Sequence, residues 1–230
     1  MPEHLRALVV IIVLSTVVFA FSRAPLCAGI VAPADFKRRR NLWIAVTLVA
    51  FLAHNFWIFI LVAGALILFN IPRERNRAAL FFLMLFALPP IDAEITGLGL
   101  VRYFFSIDYI RLLLLTILLP TFLSLQKQSG GEPFGRSLAD KFVAGYMVLN
   151  IALIFTASTL TNTLRQGVFY IFIDVFLPYY VISRSIKDLS GFRDALMSFV
   201  LAALVLSAIG VFEYARHWSL YKALERGLDT

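Results

Sequence analysis

The chain of 230 residues contains very little cysteine and lacks the common catalytic motifs. Cys27 is its one cysteine, so it cannot form an internal disulfide or a cysteine metal cluster. The three histidines, His4, His54 and His217, do not have the spacing of metal ligands. The sequence shows no Walker loop, dinucleotide-binding glycine motif or zinc-protease motif. These absences argue against the common soluble catalytic domains and predict neither a metal nor a cofactor.

Charge is also scarce: 15% of the residues are charged, whereas 60% are hydrophobic and the mean hydropathy is +0.85. Ordinary soluble domains are about 45–50% apolar and about 25% charged. A soluble globule of this size could not bury so much apolar surface, and a disordered chain would contain far less of it. The composition therefore predicts an all-α, polytopic transmembrane bundle that forms a single domain over residues 1–230.

Long apolar runs predict about seven to eight membrane spans, since a helix needs about 20 apolar residues to cross the hydrocarbon core. The runs are rich in Leu, Ile, Phe and Ala and do not alternate with polar residues, which favours helices over strands. Two of the runs are short and are separated by His54 and Asn55, which predicts a hairpin with these residues at its tip. The predicted spans are 5–21, 43–53, 56–70, 78–90, 109–125, 142–157, 167–183 and 195–212.

The net charge of +7 comes from 21 Lys and Arg residues against 14 Asp and Glu residues. Four segments between apolar runs hold 14 of the 21 positive residues, which predicts that these segments are cytoplasmic. The positive excess is then explained by helix orientation in the membrane, with membrane lipid rather than nucleic acid as the partner. An outer N-terminus with eight crossings and an inner N-terminus with a re-entrant first connection both stay open. The four segments are 23–40, 71–77, 126–141 and 184–194.

Two polar residues lie near the middle of predicted spans, where polar groups are costly. Asp174 lies within span 167–183, and it fits a carboxylate facing a proton, ion or substrate as well as it fits a polar contact with another helix. Pro178, four residues later, frees a backbone carbonyl on the same helical face. For Asn150, near the middle of its own span, a hydrogen bond between helices is the favoured interpretation.

Three arginines lie on the predicted outer side, against the general charge bias. Because a guanidinium binds phosphate through two hydrogen bonds, Arg102, Arg111 and Arg165 are candidates for holding a lipid diphosphate. The alternative is pairing with a neighbouring acid. For Arg111 that alternative is favoured, because Asp108 lies three residues before it. For the other two arginines both interpretations stay open.

Three segments, in this order, resemble bacterial O-antigen ligases and polysaccharide polymerases. Leu88 to Leu115 is similar to the family's short outer loop with glycines, which leads into a span that begins near an arginine. Val175 to Leu196 resembles a span that ends in proline and aromatics and is followed by a short loop with arginine. Ile209 to Trp218 resembles the family's Gly-x-x-Glu exit into the periplasm. The similarity covers roughly residues 81–218.

The resemblance implies the GT-C-like, N-terminal part of a multi-pass glycosyltransferase of the bacterial inner membrane. Such enzymes transfer a glycan from undecaprenyl diphosphate to an acceptor sugar, without a nucleotide sugar or an obligatory metal. In the family, further spans and a large periplasmic loop follow the region matched here and carry the catalytic residues. We therefore expect this chain to be inactive by itself, and no catalytic residue is assigned.

Two other functions stay open from the sequence. A small proton-coupled transporter could be built around Asp174, although the chain shows no inverted repeat of the kind common in transporters. A non-catalytic scaffold of an exopolysaccharide assembly would also fit the composition. The sequence does not predict the oligomeric state.

Overall fold

A computed structural model of the chain describes residues 2–89, 91–96, 103–127, 133–157 and 162–228. The chain is mostly helical, as the composition predicts, and it divides into two compact units. Unit 1 comprises residues 1–91 and 186–230, and unit 2 comprises residues 92–185. The expected single domain therefore consists of two compact units, with unit 2 inserted into the sequence of unit 1.

The described helices are numbered in chain order, and two strands lie between the fourth and the fifth. The strands are β1 (Asp92–Thr96) and β2 (Tyr103–Asp108). The helices are α1 (Glu3–Cys27), α2 (Pro33–Leu52), α3 (Phe56–Asn70), α4 (Arg77–Met84), α5 (Tyr109–Lys127), α6 (Leu138–Ala157), α7 (Thr163–Ser185), α8 (Leu189–Arg216) and α9 (Leu220–Gly227).

Among the described residues, six helices are long and apolar enough to cross a membrane. These are α1, α5, α6, α7, α8 and a helix formed by α3 with the 3₁₀ turn that follows it, Phe56–Arg73. Predicted span 43–53 is the second half of α2, whose first half is strongly charged. Predicted span 78–90 does not form a membrane-crossing helix. Helix α4 has eight residues, about 12 Å, and the chain turns at residues 85–88.

Different segments of the sequence contact each other at the two ends of unit 1. At one end Arg39, near the start of α2, bonds to Glu74, and the Asn76 amide donates to the Gly191 carbonyl at 3.0 Å. At the other end the rings of His4 and His54 lie 6.1 Å apart, and the Trp218 indole donates to Glu3 at 3.1 Å. Segments 23–40 and 71–77 therefore meet at one end of unit 1 with residues 186–194, the part of segment 184–194 that belongs to this unit, as the common side predicted from their charges requires.

The connection between α2 and α3 is only three residues long, 53–55, and the two helices contact each other. Asn55 caps α3, because its Oδ1 accepts the backbone N–H groups of Trp57 at 2.8 Å and Ile58 at 3.4 Å. The predicted hairpin with His54 and Asn55 at its tip is confirmed.

In unit 2 the segment predicted as an outer loop contains a β-hairpin. Strands β1 and β2 pair antiparallel, with Asp92 opposite Asp108 and Glu94 opposite Ser106. The run Tyr-Phe-Phe-Ser-Ile at 103–107 is rich in residues that favour strands, a signal that hydropathy alone does not register. The hairpin leads directly into α5, so it places β2 next to the residues that begin that helix.

Helices α5 and α7 each contain a π-helical segment two residues before a proline. The segments are Leu114–Leu118, before Pro120, and Phe172–Phe176, before Pro178. Proline has no N–H to donate to the carbonyl four residues earlier. The residue before the proline donates its N–H to the carbonyl five residues earlier, as Leu177 does to Phe172. The two segments contact each other within unit 2. Such π segments are frequent at functional sites.

The N-terminus of α8 is capped by Asp188, which lies just before the membrane-crossing helix. Its Oδ2 accepts the Ser190 hydroxyl at 2.5 Å and its Oδ1 accepts the Gly191 N–H at 3.1 Å. The Ser190 bond, and then the Gly191 bond, hold the pKa of Asp188 below its ordinary value. A carboxyl with a lowered folded-state pKa stabilises the fold above its unfolded pKa of about 3.9. That stabilisation is lost as the pH falls through the lower, folded-state value.

We therefore expect Asp188→Asn to remove part of the acid sensitivity of the chain. Asparagine keeps an oxygen that can accept the Gly191 N–H, but it does not titrate. The measurement is the thermal unfolding midpoint of the detergent-solubilised chain as the pH is lowered through about 4. The midpoint of the wild-type chain should fall more steeply than that of the variant, and identical acid profiles would contradict the prediction.

Candidate functional site

Two of the candidate residues, Arg111 and Asp174, form an ion pair within unit 2. Arg111 is the third residue of α5. Helix α7 has a further π segment at Thr163–Tyr170, and Asp174 lies in the second one, Phe172–Phe176. The Arg111 Nη2 lies 2.9 Å from Asp174 Oδ2, and Nε lies 3.3 Å from Oδ1. The guanidinium therefore uses the one edge formed by Nε and Nη2 to hold both carboxylate oxygens, a geometry that arginine provides and lysine does not.

The same guanidinium also binds the β-hairpin. Arg111 Nη1 donates to the backbone carbonyl of Ser106 at 2.8 Å and to its hydroxyl at 2.6 Å. Ser106 is in β2, five residues before Arg111. The arginine therefore joins the hairpin, the start of α5 and the middle of α7 through one rigid planar group.

Aromatic rings cover the guanidinium and add a further link to the hairpin. The Arg111 Cζ lies 3.9 Å from the centroid of the Tyr170 ring and 5.7 Å from that of Phe105, distances typical of cation–π contact. The Tyr170 hydroxyl accepts the Ser106 backbone N–H at 3.0 Å and lies 3.1 Å from the Ser106 hydroxyl. Tyr170 precedes Asp174 by four residues, so the two side chains lie on one face of α7.

Asp108 interacts with Arg111 in a different way from the predicted side-chain pairing. Its Oδ1 accepts the backbone N–H of Arg111 at 2.6 Å and so caps α5, while the guanidinium turns to Asp174. Burial raises the pKa of Asp108 above its ordinary value, since the N–H and the positive charge of Arg111 offset only part of that cost. The two roles are divided: Asp108 begins the helix, and Asp174 neutralises the arginine.

The bonding of Arg111 determines what the site can do. Its bonds to Asp174 and Ser106 engage four of the five guanidinium N–H groups, so a phosphate could bind through two bonds only by displacing a bond to Asp174 or to Ser106. The Asp174 side chain is 35% exposed and that of Arg111 is 16% exposed. The more accessible charged group is therefore the carboxylate, which can accept a hydrogen bond from a ligand hydroxyl.

The other candidates lie apart from this ion pair or outside the described residues. Arg165 donates from Nη2 to Asn162 Oδ1 at 2.7 Å in the first turn of α7. Asn150 donates to the Tyr146 carbonyl of its own helix at 2.8 Å, so the favoured hydrogen bond between helices is replaced by a local one. Arg102 lies outside the described residues.

A second polar cluster in unit 2 centres on Asp140, in the first turn of α6, and sequence reasoning did not single it out. Asp140 Oδ1 accepts the Tyr179 hydroxyl at 2.8 Å, and Oδ2 accepts from Arg184 Nη2 at 3.0 Å. Ser137 Oγ accepts the Asp140 N–H at 3.0 Å, and Asp140 accepts the Ser137 N–H at 3.4 Å, which makes a reciprocal cap. The Ser-x-x-Asp spacing was a readable signal for this cap. The cluster fixes the start of α6 to the end of α7.

Sequence reasoning also missed two residues of the main site, Ser106 and Tyr170. The spacing of Tyr170 to Asp174 at i, i+4 was a readable signal, but the contribution of Ser106 depends on a hairpin that was not predicted. Among the described residues, no group of three or more His, Cys, Asp or Glu side chains is arranged to hold a metal.

Comparisons with protein-family models, with curated proteins and with solved structures found no match to this chain. The resemblance to O-antigen ligases and polysaccharide polymerases therefore stays a prediction that rests on its three sequence segments.

Proposed function

We propose that this chain is the membrane region of a GT-C-like ligase or polymerase that transfers glycan from undecaprenyl diphosphate to an acceptor sugar. The transfer would take place at the outer face of the bacterial inner membrane. The observation that supports this most is the Arg111–Asp174 pair, which ties a structured hairpin on the predicted outer side to a carboxylate within a membrane-crossing helix.

An enzyme that acts on a lipid-linked sugar needs polar groups held in a fixed position at the membrane edge. The site provides this, because Arg111 bonds to two different elements and is covered by aromatic rings. The residues involved also lie within or close to the segments that resemble the family, Leu88 to Leu115 and Val175 to Leu196.

Within this proposal the exposed carboxylate of Asp174 receives hydrogen bonds from a sugar hydroxyl. Arg111 is a positioning residue, since most of its donors are engaged by protein groups. The glycosyl transfer step itself belongs to residues beyond this site.

The bonding of Asp174 also bears on the alternative of a proton-coupled transporter. Both carboxylate oxygens accept hydrogen bonds from Arg111, and Arg111 is itself bonded to Ser106 of the hairpin. A carboxylate held in a fixed position is what a binding site for a sugar needs, which supports the ligase proposal. The transporter is distinguished from it by the measurement of uptake described below.

The proposal predicts that Asp174→Asn in the full-length protein lowers glycan transfer on the order of 10²-fold, because a change that misplaces the bound substrate by about 1 Å can cost that much even when it lies away from the reacting atoms. The measurement is transfer of glycan from an undecaprenyl-diphosphate donor in native membranes, with the protein's membrane abundance determined in parallel. Asp92→Asn, which makes the same chemical change on the exposed strand β1, is the matched control and should transfer normally.

Three outcomes are distinguishable. Normal transfer by an abundant Asp174→Asn protein contradicts the role given to this carboxylate. Normal transfer together with lost proton-coupled uptake would favour the transporter. Absence of transfer in the wild-type protein, with polymer assembly still dependent on the presence of the chain, would favour the scaffold.

A further inference from the structure

An open groove of about 710 Å³ lies between the first turns of α1 and the last turns of α8, within unit 1. Its floor is apolar, formed by Val9 and Val10 of α1 and Phe212 of α8, and its mouth is lined by Arg6 and Arg216. Val9 is 51% exposed, and Val13 and Val17 continue the same exposed strip along α1. The groove is therefore an apolar furrow on the surface of two helices that are long and apolar enough to cross a membrane, with cationic residues at one end.

Trp218 also lines the mouth of the groove, and the way that α8 ends puts it there. His217 takes the left-handed conformation, with φ of 49°, and the Trp218 N–H bonds back to the Glu213 carbonyl at 3.2 Å. This is a Schellman ending, in which the residue after the left-handed one commonly packs on the last helical turn. Here the Trp218 ring lies 6.4 Å from the ring of Phe212.

The charges at the mouth favour an anion. Among the described residues that line the groove, two are arginines, Arg6 and Arg216, and one is an acid, Glu3, so the lining is net positive. Glu3 also accepts the Trp218 indole N–H at 3.1 Å. Indole rings are typical of the level at which lipid headgroups lie.

We infer that this groove binds an anionic phospholipid, with the phosphate between Arg6 and Arg216 and an acyl chain along Val9 and Phe212. A guanidinium binds phosphate oxygens through paired hydrogen bonds, and the apolar floor matches a hydrocarbon chain. A zwitterionic lipid would bring its ammonium group to the same two cations and bind less well. This site lies in unit 1 and does not depend on the proposed glycan transfer.

The test uses the fluorescence of Trp218 in the full chain, reconstituted into phosphatidylcholine vesicles. Phosphatidylglycerol with brominated acyl chains is compared, at equal mole fraction, with brominated phosphatidylcholine. A Trp218→Phe protein gives the signal of the other tryptophans, which is subtracted. We expect brominated phosphatidylglycerol to quench Trp218 more strongly than brominated phosphatidylcholine in the wild-type chain.

Replacing the arginines provides the decisive comparison. Each of Arg6→Gln and Arg216→Gln should lower the relative affinity for phosphatidylglycerol about five-fold, as expected for one basic residue near an anionic headgroup. Arg23→Gln, which removes an exposed arginine near the opposite end of α1, is the matched control and should keep the wild-type preference. Circular dichroism establishes that each variant is folded.

Equal quenching of the wild-type chain by the two brominated lipids would overturn the inference. So would an equal loss of preference in Arg23→Gln, because it would assign the effect to overall charge. Either result leaves the glycan-transfer proposal unaffected, since that proposal is tested by activity and by Asp174.

Discussion

Replacing Arg39 with alanine is expected to lower the free energy of unfolding of the chain by about 3–5 kcal/mol, the usual effect of removing one partner from a buried ion pair. The Arg39 side chain is 3% exposed. Its five N–H groups make five hydrogen bonds, to Glu74, Asp194 and the Ser198 hydroxyl. Without the guanidinium, the Glu74 carboxylate loses both bonds from Arg39 and keeps Arg38 as a charged partner, and Asp194 loses both bonds made by its oxygens to Arg39.

The neighbouring residue offers a matched control for this prediction. Arg40 bonds to the side chain of Asn41, the next residue in the sequence, and Arg40→Ala should change the free energy of unfolding by no more than about 0.5 kcal/mol. Both variants and the wild-type chain would be unfolded reversibly in mixed micelles with increasing denaturing detergent. Equal stability of Arg39→Ala and Arg40→Ala would show that the network does not hold α2, α8 and the connection at Glu74 together.

The second large effect is expected at the pair formed by Arg111 and Asp174. Arg111→Ala should destabilise the chain by about 2 kcal/mol, since hydrogen bonds to charged groups contribute about 1.5–3 kcal/mol and Asp174 is partly exposed to solvent. Asp174→Ala should have a smaller effect than Arg111→Ala, because the guanidinium keeps its bonds to Ser106.

A double-mutant cycle isolates the pair from the rest of the site. The double variant should be more stable than the sum of the two single effects predicts, with a coupling energy of about 1–2 kcal/mol. Hydrogen exchange at the Ser106 amide, which is bonded to Tyr170, should speed up in Arg111→Ala. Arg193→Ala, at an exposed position on α8, serves as the control for loss of an arginine. Additive single effects together with an unchanged Ser106 amide would contradict the role of Arg111 as a link between hairpin and helix.

The sequence allowed the long helices to be predicted because the transfer of apolar side chains into a membrane depends mainly on composition. The positions of the spans at 5–21, 109–125 and 195–212 follow from the apolar content of these segments alone. Charge distribution likewise predicted one common side for segments 23–40 and 71–77, which meet at one end of unit 1 in the structure. Both signals are sums over many residues, so a single unusual residue does not alter them.

Features that depend on a specific partner could not be predicted in the same way. Arg111 is closer in sequence to Asp108 than to Asp174, and the local pair was therefore favoured. The start of α5 uses Asp108 for its backbone N–H, which leaves the guanidinium to reach α7. Asn150 donates one N–H to the carbonyl of Tyr146 one turn earlier, a local bond that the position of Asn150 within an apolar run does not indicate.

Short helices and strands could not be predicted from hydropathy either. Helix α4 ends at Met84 although apolar residues continue to Leu88, since hydropathy measures burial and not the continuation of backbone hydrogen bonds. Hydropathy also does not indicate the hairpin formed by β1 and β2. Its outer position suggests a loop, although the residues of β2 favour a strand.

The buried network around Arg39 has a consequence for the positive charge that the folded protein displays. The cluster at 37–40 carries four positive charges in the sequence. After folding, Arg38 and Arg39 bond to Asp35, Glu74 and Asp194. Acids within the protein therefore neutralise two of the four charges, so the folded protein displays less positive charge to its surroundings than a count along the sequence suggests.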